Sequence, residues 1–424
     1  MPVSRRTLLP RPSKSTALTA AALVVACASL TTGCGVIPGS TGGSGDEPVT
    51  VMTWAPENTK ATNKPGIPAM AKAYARWVNA HGGLDGRTLK VITCNDDNDP
   101  VGAADCAREA VSKKVAAVVG SYSQHGQSFL SPLEVAGIPY IGGYGVTDEE
   151  FSSPLSYPVN GGEPALMAGN GRQLAARCER VSLVRPDTIA GDDLPKLLDA
   201  GLAEGRRKPA ADIRAPEDGT DFTSQAEQAL TRAGTGGCVT AALGARTDTF
   251  YDSYRRTEDA YPTAKISSVL GSVDQSLIDR TGGAEGPYEG AYVTGWYPAA
   301  GDPRWDEMRE VIRQQAFGDN RVDPADAGVQ TTWIAYTVLK QVVESLDGGE
   351  VSSRSLRRAL DKGLKVETGG LTPTLSWRFK DMLAASDFPR LVNADITFQL
   401  VRDGRLVPAR KGFVNVSRTL EGVQ

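Results

Sequence analysis

From Val49 onward the chain alternates short apolar, β-rich runs with stretches of helical period. Val49–Trp54, Leu89–Cys94, Val115–Gly120 and Ile138–Ile141 read as strands. Between them, the spacing predicts helices over Ile67–Ala80 and Pro100–Lys113 and a further helical stretch before Ile138. Asp99-Pro100 supplies an N-cap and a first-turn proline for the second helix. The pattern restarts at Glu163: helices Glu163–Cys178, Asp192–Gly205, Asp221–Gly234, Thr247–Asp259 and a short one from Val273 are interleaved with strands. Those strands are Arg180–Arg185, Ala210–Arg214, Cys238–Leu243, Ile266–Leu270 and Gly290–Tyr297. Two long helices, Pro303–Phe317 and Ala325–Leu346, and a shorter one from Ser352 follow, and Ile396–Arg402, an Asp403-Gly404 turn and Leu406–Lys411 form a hairpin. Strand–helix–strand units of this length build parallel sheets with helices on both faces, so the expectation is two α/β units.

The N-terminus does not belong to this pattern. Arg5-Arg6 precedes an apolar run from Ala17 to Leu30, short of the roughly 20 residues a bilayer span needs, and it reads as a signal-peptide core over residues 1–33. Leu30-Thr31-Thr32-Gly33-Cys34 resembles a bacterial lipobox, which implies acylation of Cys34. The arginine pair resembles a twin-arginine signal, and ordinary Sec export remains equally open. Residues 34–47 then form a tether rich in glycine and serine, the layout expected of a lipid-anchored protein on the extracytoplasmic face of the cell membrane.

Charge narrows the partners. The whole chain carries 46 basic and 50 acidic side chains; removing the leader, with Arg5, Arg6, Arg11 and Lys14, leaves 42 against 50, a net −8. An acidic surface argues against nucleic acid. His81 and His125 are the only histidines, and no metal or other cofactor is expected. Ser121, Ser123 and His125 lie close in sequence, but no oriented acid accompanies them, and no nucleophile elbow, phosphate-binding loop or zinc motif occurs, so an enzyme is not expected.

The most specific string is Asn79-Ala80-His81-Gly82-Gly83-Leu84-Asp85-Gly86-Arg87, followed by the Leu89–Cys94 strand, Asp96-Asp97 and Asp99-Pro100. It resembles the first helix-to-strand junction of the branched-chain amino-acid-binding family of ABC-transporter solute-binding proteins. The likeness continues through Val115–Ser121 and Ala136–Ile141 and weakens to pattern level after that. The resemblance implies an α/β type 1 periplasmic-binding-protein fold: two doubly wound, Rossmann-like lobes joined by a three-segment hinge. Residues 48–157 and 299–387 would make the N-terminal lobe and residues 158–298 and 388–424 the C-terminal lobe. The implied function is capture of a small polar or amino-acid-like solute by lobe closure, as a monomer, for delivery to ABC permease subunits. The same body would also serve a sensor reporting to a membrane receptor or kinase, or an envelope scaffold with no small ligand.

Ligands in doubly wound sheets sit beyond the carboxyl ends of the strands. The loops there place Trp54, Ser121, Tyr122, Ser123, Gly143, Tyr144, Asp187 and Tyr297 as candidate ligand-binding residues. The resemblance gives the serine at or beside Ser121 the task of holding a ligand carboxylate. Gly142-Gly143-Tyr144-Gly145 and Ile189-Ala190-Gly191 depart from the family's amino-acid-binding pattern. Of the cysteines, Cys94, Cys106, Cys178 and Cys238 remain after the leader and Cys34. Cys94 ends a strand whose following helix returns beside it, and Cys178 and Cys238 each open a strand that is adjacent in a 2-1-3 order. The expected pairs are Cys94–Cys106 and Cys178–Cys238.

Overall fold

A computed structural model describes residues 47–261 and 263–423. The leader, Cys34 and all of the tether up to Asp46 lie outside the described residues. Two sheets organise the remainder. The first has five parallel strands, β1 (Val49–Trp54), β2 (Leu89–Cys94), β3 (Ala117–Val119), β4 (Tyr140–Ile141) and β5 (Ser156–Tyr157), in the order β2-β1-β3-β4-β5. The second has eight: β6 (Val181–Pro186), β7 (Ala211–Ala215), β8 (Cys238–Ala241), β9 (Lys265–Val269), β10 (Tyr292–Gly295), β11 (Asp395–Arg402), β12 (Arg405–Pro408) and β13 (Val414–Asn415). Strands β7-β6-β8-β9-β10 run parallel, and β11 joins antiparallel to β10 and pairs with β12 and β13. This is the expected type 1 periplasmic-binding-protein architecture, an α/β fold with two lobes.

Periodicity places the core. Along β1, Val49 and Val51 join one apolar cluster while Met52 and Trp54 join the cluster on the other sheet face. The second face is covered by α2 (Pro100–Ser112) and α3 (Gly126–Ala136), through Ala103, Ala107, Phe129 and Leu133. Asp99 caps α2 as expected: its carboxylate accepts the Val101 and Gly102 N–H groups at 2.7 and 2.8 Å. The opposite face is covered by a helix over Gly66–Ala80, against which the late helices Asp306–Gln315 and Ala327–Glu344 pack.

The chain thus leaves the first sheet after Tyr157, returns after Gly295 with those late helices, and re-enters the second sheet at Asp395. Two glycines make the packing possible. At Gly83 (φ 78°) a side chain would stand 2.2 Å from the Arg87 carbonyl oxygen, so the turn into β2 admits only glycine. At Gly120 (φ 61°) a Cβ would lie 3.0 Å from the Thr332 Cα, where the Ala327–Glu344 helix crosses the end of β3. Strand β5 was not foreseen, since two residues carry no periodicity to read.

Both cysteine pairs are bonded, each with a Cα–Cα distance of 5.7 Å. Cys94–Cys106 ties the end of β2 to α2, and Cys178–Cys238 ties the start of the β6 region to β8. The pairs close segments of 12 and 60 residues. Chain-entropy arguments give the shorter loop about 3 kcal/mol and the longer about 4 kcal/mol of stabilisation. Replacing Cys178 and Cys238 by alanine should therefore lower the melting temperature more than replacing Cys94 and Cys106. Thermal denaturation of the two double variants followed by circular dichroism checks the order.

Candidate functional site

The carboxyl ends of the parallel strands in both sheets converge on one cavity of about 90 Å³. The first lobe supplies Thr62 and Lys64 from the segment after β1, Tyr122 and Gln124 from the segment after β3, and Tyr144 and Val146 from the segment after β4. The second lobe supplies Pro186 at the end of β6, Glu217 after β7, Ala242–Ala245 after β8, Leu270–Ser272 after β9 and Trp296 after β10. Glu163, Leu166 and Met167, at the start of the helix Gly162–Ala175, complete the wall together with Leu194 and Val269. The space is several times the roughly 10–15 Å³ that one water needs, enough for a small ligand.

Aromatic rings close the two lobes on each other. Tyr144 meets Tyr122 edge-on at 5.1 Å between centroids and Trp296 of the other lobe at 5.1 Å, also edge-on. Its hydroxyl rests against Gly271 (φ 90°), where a Cβ would lie only 2.2 Å from the oxygen. Two polar contacts also bridge the lobes: the Thr62 hydroxyl donates to a Glu217 carboxylate oxygen at 3.2 Å, and the Arg246 guanidinium donates to the Lys60 carbonyl at 2.6 Å.

The loop bearing Tyr144 is held from beneath by Glu150, which is 2% exposed. Its carboxyl accepts the N–H groups of Gly145, Val146 and Thr147 at 3.1, 3.0 and 3.3 Å. Burial nevertheless pushes its pKa up to about 7, against the lowering effect of those three donors. Glu163 is pushed further, to about 8, by burial first and then by the neighbouring charges of Glu150 and Asp148. Among the described residues its carboxyl has neither a hydrogen bond nor an ion pair. Lys64 is answered from within: its Nζ lies 3.7 Å from an Asp326 carboxylate oxygen and 5.4 Å from the Tyr144 ring centroid. Burial raises the Tyr122 and Tyr144 hydroxyl pKa values, so both stay protonated donors.

Of the residues expected at the cleft, Tyr122 and Tyr144 line the cavity and the others do not. Trp54 points to the far face of the first sheet, packed edge-on against Phe129 at 5.4 Å. The Ser121 hydroxyl accepts the Trp54 backbone N–H at 3.1 Å, and the Ser121 carbonyl accepts the Tyr144 N–H at 3.0 Å, so Ser121 joins loops rather than facing a ligand. Ser123 is fully buried and accepts the His125 N–H at 3.2 Å. Asp96 is buried beside both, with its pKa raised by that burial, but this trio is walled off from the cavity lining. Gly143 is small because a Cβ there would stand 2.2 Å from Glu150 Oε2 and from the Tyr140 ring. Asp187 is exposed and paired with Arg214 at 3.4 Å. Tyr297 is buried where the chain crosses between lobes, its hydroxyl bonded to Asn160 and Thr331 at 2.9 Å each.

Sequence reasoning missed Lys64, Glu163, Glu217 and Trp296. Trp296 was legible in principle, as the aromatic neighbour of Tyr297 just past a strand end.

Comparison with known proteins gives three kinds of result. The model of a family described as periplasmic binding protein matches residues 59–387. No curated protein sequence matches the chain. Among solved structures, the chain is similar to a substrate-binding periplasmic protein from Ralstonia solanacearum, with a TM-score of 0.71 and 16% identity over 85% of this chain and 99% of that one. It is equally similar, with a TM-score of 0.71 and 15% identity over 88% and 98% of the chains, to a possible leucine/isoleucine/valine-binding protein from Rhodopirellula baltica. A solute-binding protein of an ABC transporter from R. palustris, in complex with 4-hydroxybenzoate, has a TM-score of 0.69 and 14% identity over 87% and 97%. At these identities the likeness concerns the fold.

The raised pKa of Glu163 makes a prediction about stability. An unfolded glutamate ionises near 4.5, whereas the folded Glu163 keeps its proton to about 8. Between those values the folded state binds more protons, so this residue lowers stability progressively as pH rises from about 4.5 through 8 and costs nothing below that window. Glu163→Gln should melt like wild type at pH 4.5 and at a higher temperature than wild type at pH 8.5. Melting curves across this range that run parallel for the two proteins would contradict the assignment.

Proposed function

The chain belongs to the periplasmic binding protein family, a family of binding proteins rather than enzymes, and on that footing we propose that it captures a small solute for an ABC importer. The observation that carries this reading is the cavity between the lobes, walled from both sides and about the size of a small metabolite. Tyr144–Trp296, Thr62–Glu217 and Lys60–Arg246 are contacts that only a closed pair of lobes can make. A solute touching both walls stabilises that state over an open one by its differential contacts. Tyr122 and Tyr144 are the ligand-contacting residues retained from the sequence reading, joined by Glu163, Leu166, Met167 and Trp296.

In this reading the lobes divide near residues 157, 298 and 388, and the three crossings around them are the hinge. The R. palustris neighbour binds 4-hydroxybenzoate, and a cavity that combines aromatic and aliphatic side chains with polar and charged groups suits a small solute here. Delivery to a permease at the membrane fits an exported protein, since both disulfides need an oxidising compartment. A lipid on Cys34 would hold the protein at the extracytoplasmic face.

Two measurements test this. Native mass spectrometry of gently purified protein should find a small solute that is lost from a Tyr144→Ala, Trp296→Ala double variant; an empty wild type would count against a transport role. Cys34→Ser should leave the protein unlipidated and released into the soluble fraction with its solute still bound. Retention on washed membranes would contradict the anchor.

A further inference from the structure

Building on the solute-binding reading, we propose that the solute is a small organic cation, an amine or quaternary ammonium with an apolar body, whose positive charge meets Glu163 among the rings of Tyr122, Tyr144 and Trp296. Among the described residues, the one cationic side chain in the wall is Lys64, which the Asp326 carboxylate already faces. The hydroxyls of Ser121 and Ser123, where the resemblance to amino-acid binders implies a carboxylate site, are buried outside the cavity lining and accept the Trp54 and His125 backbone N–H groups. Gln124 Nε2 is shared between the Thr62 and Tyr122 hydroxyls at 3.3 and 3.1 Å, and the Ser272 hydroxyl accepts the Gly244 N–H at 3.0 Å.

The charges point the same way. Lys64 is set against Asp326 and the face of Tyr144, which leaves Glu163 and Glu217 as the wall's uncompensated carboxyl groups. Glu217 accepts the Thr62 hydroxyl, while Glu163 has no partner among the described residues. A carboxyl without a partner in the cavity wall is the group a bound ammonium completes. The edge-on arrangement of Tyr122, Tyr144 and Trp296 presents ring surface near it, and ring faces attract cations. Leu166, Met167 and Leu194 supply an apolar floor for the rest of the solute. Burial raises the Glu163 pKa to about 8 in the compact form, so a cation seated beside it favours the ionised carboxylate, and up to one proton passes to the buffer.

Isothermal calorimetry with phenethylamine and choline, set against the uncharged 2-phenylethanol and the anionic benzoate, separates the alternatives. The proposal expects one or both cations to bind wild type at pH 7 with release of up to one proton, read from the heat in two buffers of different ionisation enthalpy. Glu163→Gln, which keeps the shape of the side chain, should weaken cation binding by about tenfold or more, abolish the proton release, and leave 2-phenylethanol unaffected. Benzoate or 2-phenylethanol binding as tightly as the cations, or cation binding unchanged in Glu163→Gln, overturns the assignment while leaving the solute-binding reading standing. Failure of both cations to bind overturns it as well. In that case a neutral or anionic solute found by mass spectrometry keeps the broader reading, and an empty protein counts against both.

Discussion

Tyr144 is where the two halves of this protein touch through a side chain that neither half could use alone. Its ring leans on Tyr122 within its own lobe and on Trp296 across the gap, and its hydroxyl needs Gly271 opposite it because any Cβ there would collide. The contact depends in turn on Glu150, whose buried carboxyl gathers the three N–H groups of the loop that follows Tyr144. An acid is held at a cost there, as its raised pKa shows, and the return is a fixed loop at the mouth of the first sheet. Remove that loop's shape and the cavity loses one of its two aromatic walls.

The arrangement follows from parallel sheets. All strands of the first sheet, and five strands of the second, run in one direction within their sheet, so their carboxyl ends gather a set of loops on one side. Turning two such sheets toward each other brings the loops together, and the ligand space is what lies between them. If the lobes close on the solute as proposed, affinity and closure are the same free energy seen from two sides. The buried crossings are tied by hydrogen bonds rather than left loose: Tyr297 to Asn160 and Thr331, and Asn393 Nδ2 to the Val159 carbonyl at 3.0 Å.

Much of the scaffold was legible in the sequence, because it rests on local rules. The apolar runs gave β1 and β2 to the residue, Asp99-Pro100 gave the start of α2, and the string Asn79–Arg87 with the strand after it gave the family resemblance. The disulfide pairs followed from strand adjacency. The site was much less legible. Position in a loop after a strand does not say which way a side chain points. Trp54 continues the alternation of β1 into the core, and Ser121 spends its hydroxyl on Trp54's own N–H. Glu163 and Lys64 gave no local signal: each lies just ahead of a helix or in its first turn, an ordinary place for a charge. They matter only because the fold brings residues about 100 positions apart in sequence to one cavity.

The central claim is that the lobes close around a solute. Small-angle X-ray scattering on protein stripped of its solute by partial unfolding and refolding, then titrated with the solute it carried, measures this directly. The account predicts a larger radius of gyration and a broader maximum dimension in the stripped protein, both contracting to the compact form as solute saturates it. Identical scattering profiles with and without bound solute would contradict it.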